Sequence, residues 1–94
     1  MYTTYMWQEI YGKPVFRFQS NDPEVLKRMR QRKDFEEVAV FLNSRERVYR
    51  GTFYSPKEAK RTFIRITWVK PSDMKKDPTG HGYFAENGAI VASN

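Results

Sequence analysis

The chain has 94 residues, a net charge of +6 and no cysteine. This length suits one domain with one core, so we expect residues 1–94 to form a single domain. A hydrophobic fraction of 39% with 16% aromatic residues is too high for a disordered chain. Without cysteine there is no disulfide, no thiolate nucleophile and no cysteine-based zinc site.

The sequence also predicts a cytoplasmic protein with no membrane association, which includes the host cytoplasm if the protein is viral. The beginning of the chain lacks the basic, apolar and small-residue pattern of a signal peptide. No apolar run approaches the ~18 residues that span a bilayer.

The positive charge is concentrated in the middle of the chain. Residues 23–70 hold thirteen Lys and Arg against six Asp and Glu, whereas residues 1–22 are neutral and residues 71–94 have a net charge of −1. A local excess of this kind attracts phosphates or acidic protein surfaces.

Residues 3–19 alternate in a pattern typical of a β-hairpin with its turn at Tyr-Gly-Lys-Pro. Pairing Ile10 with Val15 places Trp7 opposite Phe18, with Tyr5 on the same face. That register puts three side chains on the other face: Met6, Gln8 and Arg17.

A helix is predicted to follow, with Asp22 as N-cap and Pro23 at the first helical position. Asn21 is the competing cap. The apolar stripe is narrow and comprises Val25, Leu26 and Met29.

Residues 36–55 form the clearest predicted hairpin. A turn at residues 43–46 pairs Leu42 with Arg47 and Val40 with Tyr49. One face then supplies the core: Val38, Val40, Leu42, Tyr49 and Phe53. The opposite face carries Phe41, Val48, Arg50, Thr52 and Tyr54.

Ser55, Pro56 and Glu58 form a capping box that begins a second helix. Residues 51–63 resemble a strand–cap–helix element found in SPOR domains, in plant DNA-binding domains and in arm-binding domains of tyrosine integrases, although this resemblance assigns no family. Because residues 63–69 are rich in β-branched and aromatic side chains, we predict a helix over 56–62 and a strand over 63–69. A single helix over 56–68 is the alternative.

These elements predict an α+β fold with an antiparallel sheet and two helices on one face. Residues 14–70 would form a βαββαβ core of the ferredoxin-like, split βαβ kind. Residues 1–13 would add an N-terminal strand that forms a hairpin with this core. Residues 71–94 would begin as a loop and could end in a hairpin across Asn87–Gly88. The rival architecture is a three-stranded sheet on one longer helix.

Residues suited to catalysis are few. His81 is the only histidine and lies in a glycine-flanked segment, which favours a solvated loop residue over a base or metal ligand. The Glu58-Ala59-Lys60 fragment resembles part of a nuclease motif, but Glu58 already has a capping role. We therefore expect no enzyme activity, no cofactor and no metal.

Two groups of cations stand out as candidates for phosphate contacts. The first predicted helix and its end hold five, and a basic stripe that extends from the second helix holds four: Lys27, Arg28, Arg30, Arg32, Lys33, Lys57, Lys60, Arg61 and Arg65. Arg45 and Arg47 could extend the first group. A solvated helix flank neutralised by Asp34, Glu36 and Glu37 is the competing interpretation.

A second candidate surface is the sheet face that carries Arg50 beside Phe41 and Tyr54. Aromatic residues next to arginine on an open sheet can stack unpaired bases. The same residues would serve no such role if the N-terminal hairpin or the tail covered them.

The sequence thus favours a small non-enzymatic nucleic-acid-binding protein, whose partner is DNA or RNA. The alternative is a protein-binding module or inhibitor, of the kind found among viral or mobile-element accessory proteins, that docks on an acidic partner. Homo-oligomeric assembly through a sheet edge is a third possibility, and the oligomeric state is not determined by the sequence.

Overall fold

The computed structural model describes residues 2–10, 12–76 and 82–87. For residues 83–87 it describes the backbone only. In chain order the elements are β1 (Tyr2–Gln8), β2 (Val15–Ser20), α1 (Pro23–Gln31), β3 (Phe35–Val40), β4 (Arg47–Thr52), α2 (Pro56–Thr67), a short 3-10 helix (Pro71–Asp73), β5 (Lys75–Lys76) and β6 (Gly82–Asn87).

The described strands form one antiparallel sheet in the order β3-β4-β2-β1-β6-β5. Strands β2 and β3 are joined through α1 and lie on either side of β4, which is a split βαβ connection. Both helices pack on one face of the sheet, and their buried side chains form the core together with those of the strands. The predicted α+β class, the antiparallel sheet with helices on one face and the N-terminal hairpin are therefore confirmed.

The predicted strand over residues 63–69 is wrong, because α2 continues to Thr67. Its apolar side chains recur at helical spacing, and Phe63 and Ile66 are buried against the sheet. This tertiary burial outweighs the β preference of the local sequence. The alternative of one long helix describes this segment correctly. Strand β1 pairs with β2 on the side away from β4.

The predicted register of the first hairpin is wrong by one residue. Met6 pairs with Phe18, and Trp7 pairs with Arg17. A slip of one residue exchanges the two faces of a strand. As a result Met6 and Phe18 are buried under the helices, while Trp7, Arg17 and the exposed Tyr5 lie on the opposite side of the sheet.

The second hairpin contains an irregularity between Glu37 and Ala39 that the pairing prediction missed. A bulge of this kind shifts the register of one strand against its partner. Strand β3 ends at Val40, so Leu42 lies outside the sheet and is 93% exposed, contrary to its predicted core position. Val40 is also exposed and pairs with Arg47, not with Tyr49 as predicted. Burial of Tyr49 and Phe53 is confirmed.

Phe18 lies at the centre of an aromatic core. Its ring centroid is 4.9 Å from that of Phe35, 5.8 Å from Phe53 and 6.5 Å from Phe63. Gly51 lies directly beneath this cluster, because a Cβ atom there would be 3.1 Å from the rings of both Phe35 and Phe53. The glycine therefore permits the close approach of these rings to β4.

Buried hydrogen bonds connect the first hairpin to the beginning of α1. The Thr4 and Ser20 hydroxyls lie 2.8 Å apart, and the amide of Asp22 donates to Ser20 Oγ at 3.0 Å. Asp22 Oδ1 accepts from the amide of Glu24 at 3.0 Å, which confirms the predicted N-cap. These bonds fix where α1 leaves the sheet.

Ser55 is likewise the N-cap of α2, and its hydroxyl accepts from the amide of Glu58 at 3.3 Å. Predictions for His81 and for a turn at Asn87–Gly88 concern residues 77–81 and 88–94, which lie outside the described part of the chain. None of the described helices has the length and apolar character needed to span a membrane.

Candidate nucleic-acid interface

The two sides of the molecule differ in charge. We call the surface formed by residues 22–34 and 55–68 the helix face, and the side of β1–β4 that faces away from the helices the open sheet face. The helix face holds nine Lys and Arg but only four Asp and Glu. Most of the net charge of the chain therefore belongs to one side of the domain.

On the open sheet face the arginines are neutralised by glutamates. Arg17 Nε lies 2.8 Å from Glu9 Oε2, and Arg50 Nη2 lies 2.6 Å from Glu36 Oε1. Arg50 Nη1 is also 3.9 Å from Glu9 Oε1, which links the two pairs. Arg50, a predicted contact residue, is therefore already engaged with carboxylates.

The predicted stacking residues do not form one platform. Val48, Arg50 and Thr52 share the open sheet face as predicted, but Phe41 and Tyr54 lie outside the strands. The Phe41 amide donates to Glu46 O at 3.2 Å, just before β4 begins, whereas Tyr54 follows its end. At ~3.3 Å per residue along a strand, the two ends of β4 lie roughly 17 Å apart.

Two arginines in the first group have structural partners. Arg28 Nη1 donates to the carbonyl of Ile66 at 2.7 Å, which joins α1 to the last turn of α2. Arg32 forms a bidentate pair with Asp34, through Nε at 3.0 Å and Nη2 at 2.8 Å. The hydrogen bond from Arg32 also holds the pKa of Asp34 below its ordinary value of 3.8.

Arg30 is exposed and lies near the hydroxyl of the buried Tyr49. That hydroxyl donates to Glu37 Oε1 at 3.1 Å. Burial and the Glu37 carboxylate raise the pKa of Tyr49 above 10.0, and Arg30 opposes this shift. Part of the charge of Arg30 is therefore directed at the Glu37 and Tyr49 pair.

Five cations of the helix face are unengaged. Within residues 2–10 and 12–76 these side chains have no ion pair or hydrogen bond and are exposed to solvent: Lys27, Lys33, Lys57, Arg61 and Arg65. Lys60 is half-buried and has interactions of its own. Arg45 is exposed in the β3–β4 turn, and Arg47 Nη1 is bonded to the carbonyls of Ser44 and Glu46.

Trp68 belongs to the same surface, although the sequence interpretation assigned it to a strand. It ends α2 with φ 59 and ψ 19, and 74% of the residue is exposed. The Arg28 guanidinium carbon lies 3.5 Å from the centroid of its ring. The alternative helix over 56–68 would have placed this tryptophan beside the basic residues of α2.

Comparison with protein-family models, with curated proteins and with solved structures finds no match for this chain. Among the described residues, no group of three or more His, Asp or Glu is placed to hold a metal ion. The candidate interface is therefore defined by the charges and contacts of the helix face.

Proposed function

We propose that this protein is a small, non-enzymatic nucleic-acid-binding domain that contacts phosphates through its helix face. The observation that supports this proposal is the contrast between the two faces. The open sheet face pairs Arg17 and Arg50 with glutamates, whereas the helix face presents five unengaged cations. Charges already paired within the protein contribute little to phosphate binding, and unpaired ones contribute most.

The arrangement of the second helix supports the same proposal. Lys57, Arg61 and Arg65 recur every four residues, so they follow one another along the exposed side of α2. Like charges at this spacing destabilise a helix by roughly 0.2–0.5 kcal/mol per pair. A polyanion that neutralises the row removes this repulsion and gains the entropy of released counterions.

The test is a titration of a single-stranded and a double-stranded oligonucleotide at about 50 mM and about 200 mM salt. If all five unengaged cations contact phosphates, log affinity should fall against log salt with a slope of about 4.5 for a duplex and about 3.5 for a single strand. Absence of binding to both oligonucleotides at the lower salt concentration would refute the proposal.

Docking on an acidic protein would use the same cations, with Trp68 as an anchor, since tryptophan and arginine dominate many protein interfaces. A pull-down from lysate after exhaustive nuclease treatment separates the two functions. Nucleic-acid binding predicts that captured material disappears with the nuclease. A stoichiometric acidic protein that survives the treatment would support docking instead.

A further inference from the structure

Trp68 is an exposed aromatic residue held in a fixed position within the basic surface. Its φ of 59 makes it the one non-glycine residue with positive φ in the described chain. Helices that end in this left-handed conformation usually have glycine or asparagine at that position. A bulky side chain there is strained, and such strain is concentrated at functional sites.

The orientation of the indole ring is set by Arg28. The guanidinium lies 3.5 Å from the ring centroid, and its Nη1 is anchored to the carbonyl of Ile66 at 2.7 Å. The arginine thus covers one π face of the ring. Because the residue is nevertheless 74% exposed, the opposite face of the indole is open to solvent.

We propose that the open face of Trp68 stacks on an unpaired base, so that the preferred partner is single-stranded nucleic acid. Every base has a π face, whereas the bases of a duplex are stacked on each other and are not available to a surface ring. Exposed Arg65 and Lys70 lie three residues before and two residues after Trp68. In this proposal they supply cations for the phosphates next to the stacked base.

This inference rests on the proposed function and adds a preference for single strands. The test uses Trp68→Asn, which removes the ring but suits the left-handed backbone, and Trp68→Phe, which keeps an aromatic face. Tyr54→Leu is the matched control, because Tyr54 is 96% exposed and precedes α2, at the end of the helix opposite to Trp68.

Affinities for an oligo(dT) strand and for a mixed-sequence duplex are measured at low salt. We expect Trp68→Asn to bind the single strand roughly 5- to 150-fold more weakly, which is the range for loss of one base–aromatic stack, and to bind the duplex within about twofold of wild type. Trp68→Phe should retain most of the single-strand affinity. Tyr54→Leu should change neither affinity.

Stacking is also read directly from fluorescence. In Trp7→Phe, Trp68 is the only tryptophan, and its emission should be quenched by oligo(dT) but not by the duplex. Unchanged single-strand affinity in Trp68→Asn, or an equal loss on both ligands, would overturn the stacking role while leaving phosphate binding intact. Failure of the wild-type protein to bind either ligand would overturn both proposals.

Discussion

Arg28 of α1 donates a hydrogen bond from Nη1 to the main-chain carbonyl of Ile66 in the last turn of α2, at 2.7 Å. The final carbonyls of a helix have no partner within it and lie at its negative end. A guanidinium at this point satisfies one of them and complements the helix dipole. Within the run of cations from Lys27 to Lys33, Arg28 therefore connects two helices.

Replacing Arg28 should lower stability rather than only weaken binding. Arg28→Gln removes the charged hydrogen bond to Ile66 and the contact with the Trp68 ring, and hydrogen bonds to charged groups contribute about 1.5–3 kcal/mol. We expect the free energy of unfolding in urea to fall by about this amount.

Lys27→Gln is the matched control, because Lys27 is adjacent in sequence, exposed and unengaged within the described chain. Its free energy of unfolding should change by less than about 0.5 kcal/mol, whereas its oligonucleotide affinity should fall. Equal destabilisation by the two variants would show that the hydrogen bond from Arg28 to Ile66 does not contribute to the free energy of unfolding.

Five cations of the helix face are unengaged, whereas the arginines of the open sheet face are paired. Two variants that lose the same charge from different faces should therefore differ in the salt dependence of nucleic-acid binding. Lys57→Gln/Arg61→Gln removes two unengaged cations from the helix face, and Arg17→Gln/Arg50→Gln removes two paired ones from the open sheet face. For the duplex, the first double variant should reduce the slope of log affinity against log salt by about 1.8, which is about 0.9 per lost phosphate contact. Fluorescence anisotropy at several salt concentrations gives the slopes.

The second double variant should leave the slope close to that of the wild-type protein. It should cost at most about 1 kcal/mol of stability per broken ion pair, because these pairs are partly exposed to solvent. A similar reduction of the slope in both variants would mean that only net charge matters and that no face is preferred.

Local chemistry explains which features of the fold were predictable from sequence. A carboxylate or hydroxyl before proline specifies a helix start by itself, so Asp22 and Ser55 were assigned correctly. Register depends on the path of the turn, which the alternation of side chains does not fix, so Trp7 was paired with Phe18, whose partner in the structure is Met6. Burial of Phe63 against distant strands overrides its local β preference.

The sequence predicted which residues of the candidate site are basic. It did not predict which groups each of them contacts within the fold. The sequence shows that Arg50 and Arg28 are basic, but only the fold brings Glu36 and Glu9 to the former and Ile66 to the latter. Trp68 was missed for the same reason, since its exposure follows from α2 ending at the residue before it.

Asp34 limits the positive charge at the end of α1. Its carboxylate holds Arg32 in a bidentate pair, and the hydrogen bond from Arg32 lowers the pKa of Asp34, so the pair is charged at neutral pH. Asp34→Asn should free the guanidinium for a phosphate. We expect tighter duplex binding and a salt slope steeper by about 0.9.

Glu36→Gln is the control for this variant, because it makes the same change in net charge and removes the shorter of the two ion pairs of Arg50 on the open sheet face. Its salt slope should remain that of the wild-type protein. A steeper slope in Glu36→Gln than in Asp34→Asn would place the phosphate contacts on the open sheet face and contradict the assignment to the helices.

Tyr49 makes stability sensitive to alkaline pH. Burial, followed by the hydrogen bond to Glu37, raises its pKa in the folded protein above 10.0. Well below pH 10.0 the hydroxyl keeps its proton in both states, so its contribution to stability is complete there. As the pH rises further, the unfolded chain releases the proton first, and the free energy of unfolding decreases until the folded pKa is passed.

This decrease is measured as the difference in urea unfolding free energy between wild type and Tyr49→Phe, from about pH 8 to about pH 11. The difference should be constant up to about pH 9.5. Above that pH the unfolding free energy of the wild-type protein should fall relative to that of Tyr49→Phe, because Phe cannot titrate. Glu37→Gln keeps an acceptor but removes the negative charge, so its own alkaline loss of stability should be smaller. A difference that stays constant through the whole range would show that the tyrosine titrates alike in the folded and unfolded states.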